Sequence, residues 1–266
     1  MGSKGRVVIK LGGGLITDKS KSKTLDKDAI EGVCIVLKKL QEDGYPLIIV
    51  HGAGSFGHIL SKEMKIADGI DKEILNEQKV AVKQIREDMQ ELNREIINSM
   101  NKFDLNGISF PPSKWANGVG INFKGDLAKF ERNMDEEIPI CYGDVVDRND
   151  EYIFGILSGD DLMYRLSLEV PNVEYSIFLL GDVSGVLDKP PNDPDSKLLE
   201  TWSEKSIIGT IHDSEVDVTG GINLKLNRAS GISKKIDEVW FIDGRRPERI
   251  LELIREGRTL GTKIIP

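Results

Sequence analysis

The sequence is poor in cysteine and has no long apolar run, and both shortages narrow the kind of protein that it can be. Its 266 residues include two cysteines, Cys34 and Cys141, which lie far apart and without the spacing of a metal site. They are expected to be buried thiols in a reducing compartment. No apolar run reaches transmembrane length, and no signal peptide precedes the first predicted strand. We therefore expect a cytoplasmic protein with no membrane partner.

The chain also has no basic excess. Lys and Arg together number 36 against 44 for Asp and Glu, which gives a formal net charge of −8, and no block of basic residues occurs. This balance argues against nucleic acid as a partner. A bound anion would have to be held by local lysines and backbone amides, against the field of the whole protein.

Apolar strands alternate with amphipathic helices along the whole length, which predicts an α/β fold with a doubly wound, mostly parallel sheet. Tyr175–Leu180 is a continuous apolar strand of the kind that is buried on both faces. Helices are predicted over Asp26–Asp43, over Asp71–Asn101 and, shorter, over Asp126–Asn133. Ile138–Val146 is predicted to be one strand. The length suits one large domain or two modest lobes.

A glycine-rich loop, His51-Gly-Ala-Gly-Ser-Phe-Gly-His58, follows the apolar strand Leu47–Val50 and precedes a helical segment. Glycines allow a ligand to approach the backbone closely, and the free amides at a helix N-terminus favour an anion. His58 would lie just inside that helix, within reach of the same anion. The loop predicts a phosphate pocket, and the alternative is a tight turn with a histidine that merely packs.

A second apolar strand also ends in glycines, in Val7-Val8-Ile9-Lys10-Leu11-Gly12-Gly13-Gly14. A lysine within a buried strand is costly unless it pairs with a charge, and at the carboxyl end of a strand Lys10 would point into the ligand crevice. The motif is neither a P-loop nor a dinucleotide fingerprint. The two strand–loop units together suggest two phosphate sites that face each other.

Four strand ends carry a glycine with a polar residue, and in an open α/β sheet they should converge. They are Lys10 with Gly12, His51 with Gly54, Gly159 with Asp160, and Gly181 with Asp182. Lys10, Lys19 and Lys225 are the candidate cations. Phosphoryl transfer needs this set of groups, because cations and glycine amides stabilise the charge on the moving phosphoryl group.

Several of these residues have a plainer explanation. Lys19 could be a solvated loop charge or a second cation that closes over a ligand. Asp160 could hold the lysines in place, bind Mg²⁺, or simply cap a helix predicted over Leu162–Leu168. Lys225 lies in the first turn of a helix, against the helix dipole, which makes more sense if it faces a polyphosphate.

Five motifs, in order over nearly the whole chain, resemble those of the amino acid kinase superfamily and, within it, the isopentenyl phosphate kinase family. They are Lys10-Leu-Gly-Gly13, Gly52-Ala-Gly-Ser-Phe-Gly-His58, Ser158-Gly-Asp-Asp161, Asp182-Val-Ser-Gly-Val186, and Asp217-Val-Thr-Gly-Gly221 with Lys225. The resemblance implies an open, three-layer αβα sandwich and a homodimer. It also implies ATP and Mg²⁺ as cofactors and a small phosphate-bearing acceptor.

The resemblance further implies a role for each matching position. The catalytic residues would be Lys10, Lys19, His58, Asp160 and Lys225. The acceptor phosphate would be held by Ala53, Gly54, His58 and Gly159. The nucleotide would lie against Lys10, Gly12, Gly13, Gly54, Asp182, Gly185, Gly221 and Lys225. No protein side chain is assigned to the metal. The chain would be one domain, with acceptor binding in about residues 1–170 and nucleotide binding in about 171–266.

Two other functions fit parts of the same pattern. A kinase for another phosphate or phosphonate, such as fosfomycin, would share the headgroup site but have a smaller, more polar wall beyond it. The apolar positions within Ile74–Met100 favour a prenyl tail, although such a stripe is more often core. A non-catalytic nucleotide-binding or regulatory module is the third possibility, and the three lysines with His58 argue against it.

Overall fold

The computed structural model describes residues 4–18, 20–131, 137–205 and 221–266. The strands are β1 (Arg6–Leu11), β2 (Leu47–His51), β3 (Asn106–Ser109), β4 (Ala116–Asn117), β5 (Lys124–Gly125), β6 (Glu137–Tyr142), β7 (Asp144–Asp147), β8 (Phe154–Leu157), β9 (Val173–Leu180), β10 (Thr201–Trp202), β11 (Glu238–Asp243) and β12 (Gly261–Ile264). The α-helices are α1 (Gly13–Ile16), α2 (Lys27–Glu42), α3 (Gly54–Glu63), α4 (Leu75–Asn101), α5 (Gly159–Glu169), α6 (Gly221–Ser233) and α7 (Arg249–Glu256). Short 3₁₀ turns cover Ile66–Asp68, Pro112–Lys114, Gly120–Asn122 and Ala128–Phe130.

A central sheet of eight strands confirms the predicted fold class. Its order is β10-β12-β11-β9-β1-β2-β6-β3. Every pairing in it is parallel except that of β11 with β12. Because parallel strands place their carboxyl ends at one edge, the loops after β1, β2, β9 and β11 all open on the same side of the sheet.

Successive residues of one strand pack on opposite faces of this sheet, since side chains alternate along a strand. In β1, Val7 and Ile9 join the apolar cluster formed with α2, α4 and α7. Val8, between them, joins the cluster formed with α5 and α6. Helices therefore cover both faces, and the predicted three-layer αβα sandwich is confirmed.

The prediction of one strand over Ile138–Val146 is wrong, because the chain changes sheets at Gly143. β6 ends at Tyr142 in the central sheet, and β7 begins at Asp144 in a second sheet of order β5-β4-β7-β8. Between them, the Gly143 amide donates to the His51 carbonyl over 3.1 Å. Apolar periodicity carries no information on which strand is the pairing partner, so it did not reveal the break.

The two ends of α2 agree with the capping residues predicted from the sequence. The Asp26 carboxylate accepts from the Ala29 amide at 3.0 Å and starts α2, and Gly44 follows that helix with a φ of +83°. For Asp126–Asn133 the predicted helix is wrong over its described part, residues 126–131, and residues 132 and 133 lie outside the described residues. The Asp126 side chain instead accepts a hydrogen bond from the Ala128 amide, and a 3₁₀ turn follows.

Within the described ranges, no helix has both the length and the apolar character to cross a membrane.

Candidate active site

The glycine loops after β1, β2 and β9 pack against one another backbone to backbone. A Cβ placed on Gly13 would lie 2.4 Å from the Gly54 amide nitrogen, and one on Gly181 would lie 2.5 Å from the Gly14 carbonyl oxygen. Gly54 also has a φ of +50°, a conformation that L side chains rarely adopt. Larger residues would separate these loops. The loops therefore bring their backbone amides together at one edge of the sheet, as the sequence predicts.

Lys10, Asp160 and Lys225 form one charged cluster at this edge. The Lys10 ammonium donates a hydrogen bond to Asp160 Oδ1, and Lys225 Nζ lies 3.8 Å from Asp160 Oδ2. The Lys10 and Asp160 side chains are 6% and 3% exposed. A buried charge is tolerated only when it is paired, so the carboxylate of Asp160 compensates the lysine within β1. The three groups come from β1, α5 and α6.

Asp160 is held by the start of α5, and the hypothesis that it caps this helix is wrong. Ser158 is the N-cap, and its hydroxyl oxygen accepts from the Asp161 amide at 3.1 Å. Asp161 in turn accepts from Arg228 Nε at 2.7 Å, which ties α5 to α6. A Cβ on Gly159 would lie 3.2 Å from Lys10 Cε, so the first turn of α5 lies directly on this lysine. Asp160 is therefore available to hold the lysines.

His58 lies one turn into α3, where it is half-buried, and Ala53 is the N-cap of the same helix. Behind this turn stands α4. A Cβ on Gly57 would lie 2.8 Å from Ala53 Cβ and 3.1 Å from Met89 Sδ. The acceptor loop, residues 51–58, is therefore backed by Met89 of α4, which is itself fully buried in the core. Most of the apolar positions of that helix are core, including Ile85 and Leu92.

His51 is not a free site residue, although it ends β2. It is fully buried, and burial lowers the pKa of its imidazole to about 4. Its ring stacks on Tyr142 with centroids 4.8 Å apart, and Nδ1 donates to the Gly52 carbonyl over 2.9 Å. Nε2 lies 3.3 Å from the side-chain oxygen of Asn93, Oδ1, on α4. The buried, neutral side chain of His51 thus fixes the start of the acceptor loop.

The segment after β1 is attached to the acceptor loop. The Ser55 amide donates to Thr17 Oγ1 at 3.0 Å, and the Thr24 amide donates to Ser55 Oγ at 3.3 Å. Lys23 Nζ reaches a buried carboxylate on α4, Asp88, at 2.5 Å. Lys19, the predicted second cation, lies outside the described residues.

A pocket of ≈ 380 Å³ adjoins the carboxyl end of β9. It is lined by five apolar side chains, Val183, Leu187, Pro191, Leu198 and Leu260, and by three polar ones, Asp182, Ser184 and Arg245. A larger cleft of ≈ 440 Å³ lies on the polar flank of α4, beside Arg86 and Lys114, and no predicted site residue lines it. Of these two cavities, the pocket at Asp182 is the one lined by a residue that the sequence predicts to bind the nucleotide.

Gly185, next to the pocket residue Ser184, and Gly221, at the start of α6, both occupy constrained backbone positions. A Cβ on Gly185 would lie 2.5 Å from Thr262 Oγ1, the atom that accepts a hydrogen bond from the Val186 amide. Gly221 starts α6 with a φ of +57°, and its carbonyl accepts from Lys225 Nζ at 3.2 Å. The preceding motif residues 217–220 lie outside the described residues.

Three polar residues of this region were missed in the sequence: Lys23, Asn93 and Arg245. For Arg245 a signal existed, because Gly244 and Arg245 follow β11 directly, as a glycine and a polar residue do at the other strand ends. Lys23 lies in a run of lysines and polar residues without pattern. Asn93 is one polar position on a helix whose neighbours are core, so nothing distinguished it from a solvated side chain.

Comparison with known proteins gives one family. The model of the amino acid kinase family matches residues 5–241. The curated isopentenyl phosphate kinase of Thermoplasma acidophilum is 31% identical over 97% of this chain and 99% of that protein. That of Methanothermobacter thermautotrophicus is 28% identical over 97% of this chain and 98% of its own. A crystal structure of the T. acidophilum enzyme as a product complex superposes with a TM-score of 0.79, at 28% identity, over 98% of this chain and 100% of that one.

Proposed function

The chain belongs to the amino acid kinase family, and we propose that it transfers the γ-phosphoryl group of ATP to isopentenyl phosphate, giving isopentenyl diphosphate. The relatives that share its full length bear the name isopentenyl phosphate kinase. The observation that carries the proposal is the buried Lys10–Asp160–Lys225 cluster, which lies beside the glycine loops after β1 and β2.

The cluster supplies what phosphoryl transfer requires. Two ammonium groups neutralise the charge on the oxygens of the moving phosphoryl group, and Asp160 keeps them in place. The acceptor's phosphate oxygen is already ionised, so the reaction needs no strong general base. We propose a direct in-line transfer with no covalent intermediate on the enzyme, in which catalysis comes from positioning and charge neutralisation.

The acceptor phosphate would be held by Ala53, Gly54, His58 and Gly159, which lie at the N-termini of α3 and α5. Helix N-termini favour anions, and His58 adds a hydrogen-bond donor. Met89, which packs behind Gly57, is fully buried in the core and therefore does not form a wall that an acceptor tail would meet. The proposal of a prenyl acceptor rather than fosfomycin is supported by the names of the full-length relatives.

The nucleotide would extend from the glycines after β1 toward the pocket at Asp182. Its phosphates would lie against Lys10, Gly12, Gly13, Gly54 and Lys225, with Lys19 as a further cation. Asp182, Gly185 and Gly221 would line the remainder. Acceptor binding would then belong to about residues 1–170 and nucleotide binding to about 171–266, with Lys10 shared between the two.

Mg²⁺ would accompany the nucleotide and would be held by phosphate oxygens and water. Asp160, the carboxylate of the cluster, is already engaged by Lys10 and Lys225. Within the described residues, no group of three or more His, Cys, Asp or Glu side chains is placed to hold a metal. When bound, the ion would neutralise phosphate charge.

We also propose a homodimer in the cytoplasm. β3 lies at an edge of the central sheet and could pair with a second copy. Burial raises the pKa of the Cys34 thiol to about 12, and Cys141 is buried too, as suits thiols that stay reduced.

The test is ATP consumption with the product identified by mass, using isopentenyl phosphate and fosfomycin in parallel reactions. We expect turnover of isopentenyl phosphate alone. Turnover of fosfomycin alone would assign the chain to resistance instead. ATP binding without turnover of either acceptor would contradict the proposal and favour another tail or a regulatory module.

A further inference from the structure

Arg245 is held in a fixed orientation at the carboxyl end of β11. Its Nε donates to Asp243 Oδ1 and its Nη2 to Asp243 Oδ2, both at 2.8 Å. The Arg245 amide also donates to Asp243 Oδ1 at 3.0 Å. Asp243 is buried, and Arg249 Nη1 lies 3.9 Å from its Oδ2. A two-pronged bond of this kind fixes the plane of a guanidinium as well as its position.

Most of the guanidinium is still available to a ligand. Arginine has five N–H donors, and the side-chain bonds to Asp243 use two of them. The Arg245 side chain is 52% exposed, and it lines the pocket at Asp182. Because Asp243 has already fixed its orientation, a ligand that contacts it would lose little side-chain entropy.

The place of Arg245 in the sheet puts it at the far end of the nucleotide. In the order β2-β1-β9-β11, the acceptor loop follows β2, Lys10 lies in β1, and Arg245 follows β11. Neighbouring strands are about 4.8 Å apart, so β11 lies about 10 Å from β1 across the sheet. A nucleotide whose γ-phosphate lies at Lys10 would therefore bring its nucleoside toward Arg245.

The chemistry of the pocket suits a nucleoside better than a phosphate. Its walls include Val183, Leu187 and Leu198, and aromatic bases pack well on apolar side chains and on guanidinium planes. Two carboxylates, Asp243 first and Asp182 second, act on Arg245 and raise its pKa. Their two negative charges are matched by the positive charges of Arg245 and Arg249, which leaves no net local charge to attract a polyanion.

We propose that Arg245 is a nucleotide-binding residue that contacts the base or ribose of ATP and not its phosphates. The assignment rests on the proposed function, because it takes ATP as the ligand. Asp243 is a positioning residue, acting only through Arg245.

The experiment measures dissociation constants for ATP and for inorganic triphosphate by calorimetry on the unchanged protein, Arg245→Gln and Arg246→Gln. Arg246 is the matched control, because it is the next residue, is exposed, and bonds Glu248 at 2.6 Å outside the pocket. We expect Arg245→Gln to raise the Kd of ATP about tenfold, which is about 1.4 kcal/mol. The Kd of triphosphate should change less than about twofold, and Arg246→Gln should resemble the unchanged protein.

Arg245→Gln leaves Asp243 with a weaker partner, so folding is checked by thermal unfolding. The double variant Asp243→Asn with Arg245→Gln leaves no unpaired carboxylate and should reproduce the loss of ATP affinity. Because Arg249 loses a charged neighbour at 3.9 Å in this variant, its folding is checked by thermal unfolding too. Unchanged ATP affinity in either folded variant overturns the assignment, as does an equal loss for ATP and triphosphate. If the unchanged protein does not bind ATP, both the proposed function and the Arg245 assignment are overturned. If it binds ATP and only the variants behave differently from our expectation, the Arg245 assignment alone is overturned.

Discussion

Lys23 Nζ lies 2.5 Å from the carboxylate of Asp88, and this ion pair joins the segment after β1 to helix α4. The Asp88 side chain is 5% exposed, and Gln84 Nε2 donates to the same oxygen at 2.7 Å. The neighbouring Thr24 amide bonds Ser55 Oγ in the acceptor loop. The acceptor loop and α4, the helix packed behind it, are therefore connected through one short stretch of chain.

Asp88→Asn should weaken this connection and lower kcat/KM for the acceptor about tenfold, a loss of about 1.4 kcal/mol. The reason is that Lys23 loses its charged partner and residues 20–25 lose their attachment to α4. Steady-state kinetics with isopentenyl phosphate provides the measurement. Glu91→Gln is the matched control, since Glu91 lies 3.9 Å from Lys23 but is exposed. An equal effect of the two substitutions would contradict the idea that the buried carboxylate is the anchor.

Asp160→Asn should cost both stability and activity. It leaves the Lys10 ammonium buried with no full counter-charge, and breaking such a pair typically costs about 3 kcal/mol or more. Urea unfolding should register that loss, and kcat should fall at least about a hundredfold as the lysines lose their orientation. Glu169→Gln, at the other end of α5, removes an exposed partner of Arg165 and should cost under about 1 kcal/mol. Similar losses in both variants would refute the assigned role of Asp160.

His51 should make the folded protein sensitive to mild acid. Burial lowers its folded-state pKa from 6.5 to about 4, so the unfolded chain binds this proton first as the pH falls. The stability is complete above about pH 6.5 and is lost progressively toward pH 4, by about 3 kcal/mol in all. Urea unfolding at pH 7.0, 5.5 and 4.5 should show this slope, reduced in His51→Gln. His58→Gln should retain it, and a retained slope in His51→Gln would exclude His51 as its source.

The fold could be predicted from the sequence because its signals are local. The strand β9 is a continuous apolar run, and α2 has both its cap, Asp26, and its terminal Gly44. Each signal depends on residues close in sequence, and the alternation of elements then restricts the topology. The break at Gly143 could not be predicted, because it depends on which strands β6 and β7 pair with.

The candidate site was predictable to the extent that it lies at strand ends. Lys10, Asp160 and Lys225 were expected to converge, and they do so around one carboxylate. The sequence does not show whether a given polar side chain will be buried in the fold. In the sequence, His51 has the neighbours expected of a ligand-binding histidine. In the fold, however, it is buried and stacks on Tyr142, so its role is to hold the structure. The bonds of Lys23 and Arg245 likewise depend on distances that only the fold supplies.

Gly54→Ala tests whether the close approach of the two glycine loops is needed for transfer. Its Cβ would lie 2.1 Å from Thr17 Oγ1 and 2.8 Å from the Gly13 carbonyl oxygen, at a φ of +50°. The second contact is backbone, so relief would require the loops after β1 and β2 to separate. We expect activity to fall more than about a hundredfold, because a displacement near 1 Å misaligns donor and acceptor. Adding Thr17→Ala should not restore activity.

Gly44→Ala is the matched control for backbone strain. Gly44 has a φ of +83° but nothing within 4 Å of its Cβ position, so alanine there is strained without a clash. It should cost about 1 kcal/mol of stability and leave kcat unchanged. Activity assays and thermal unfolding of both variants separate the two effects. If Gly54→Ala loses no more activity than Gly44→Ala, the contact between the loops is not what aligns the phosphates, and the lysine cluster alone must do so.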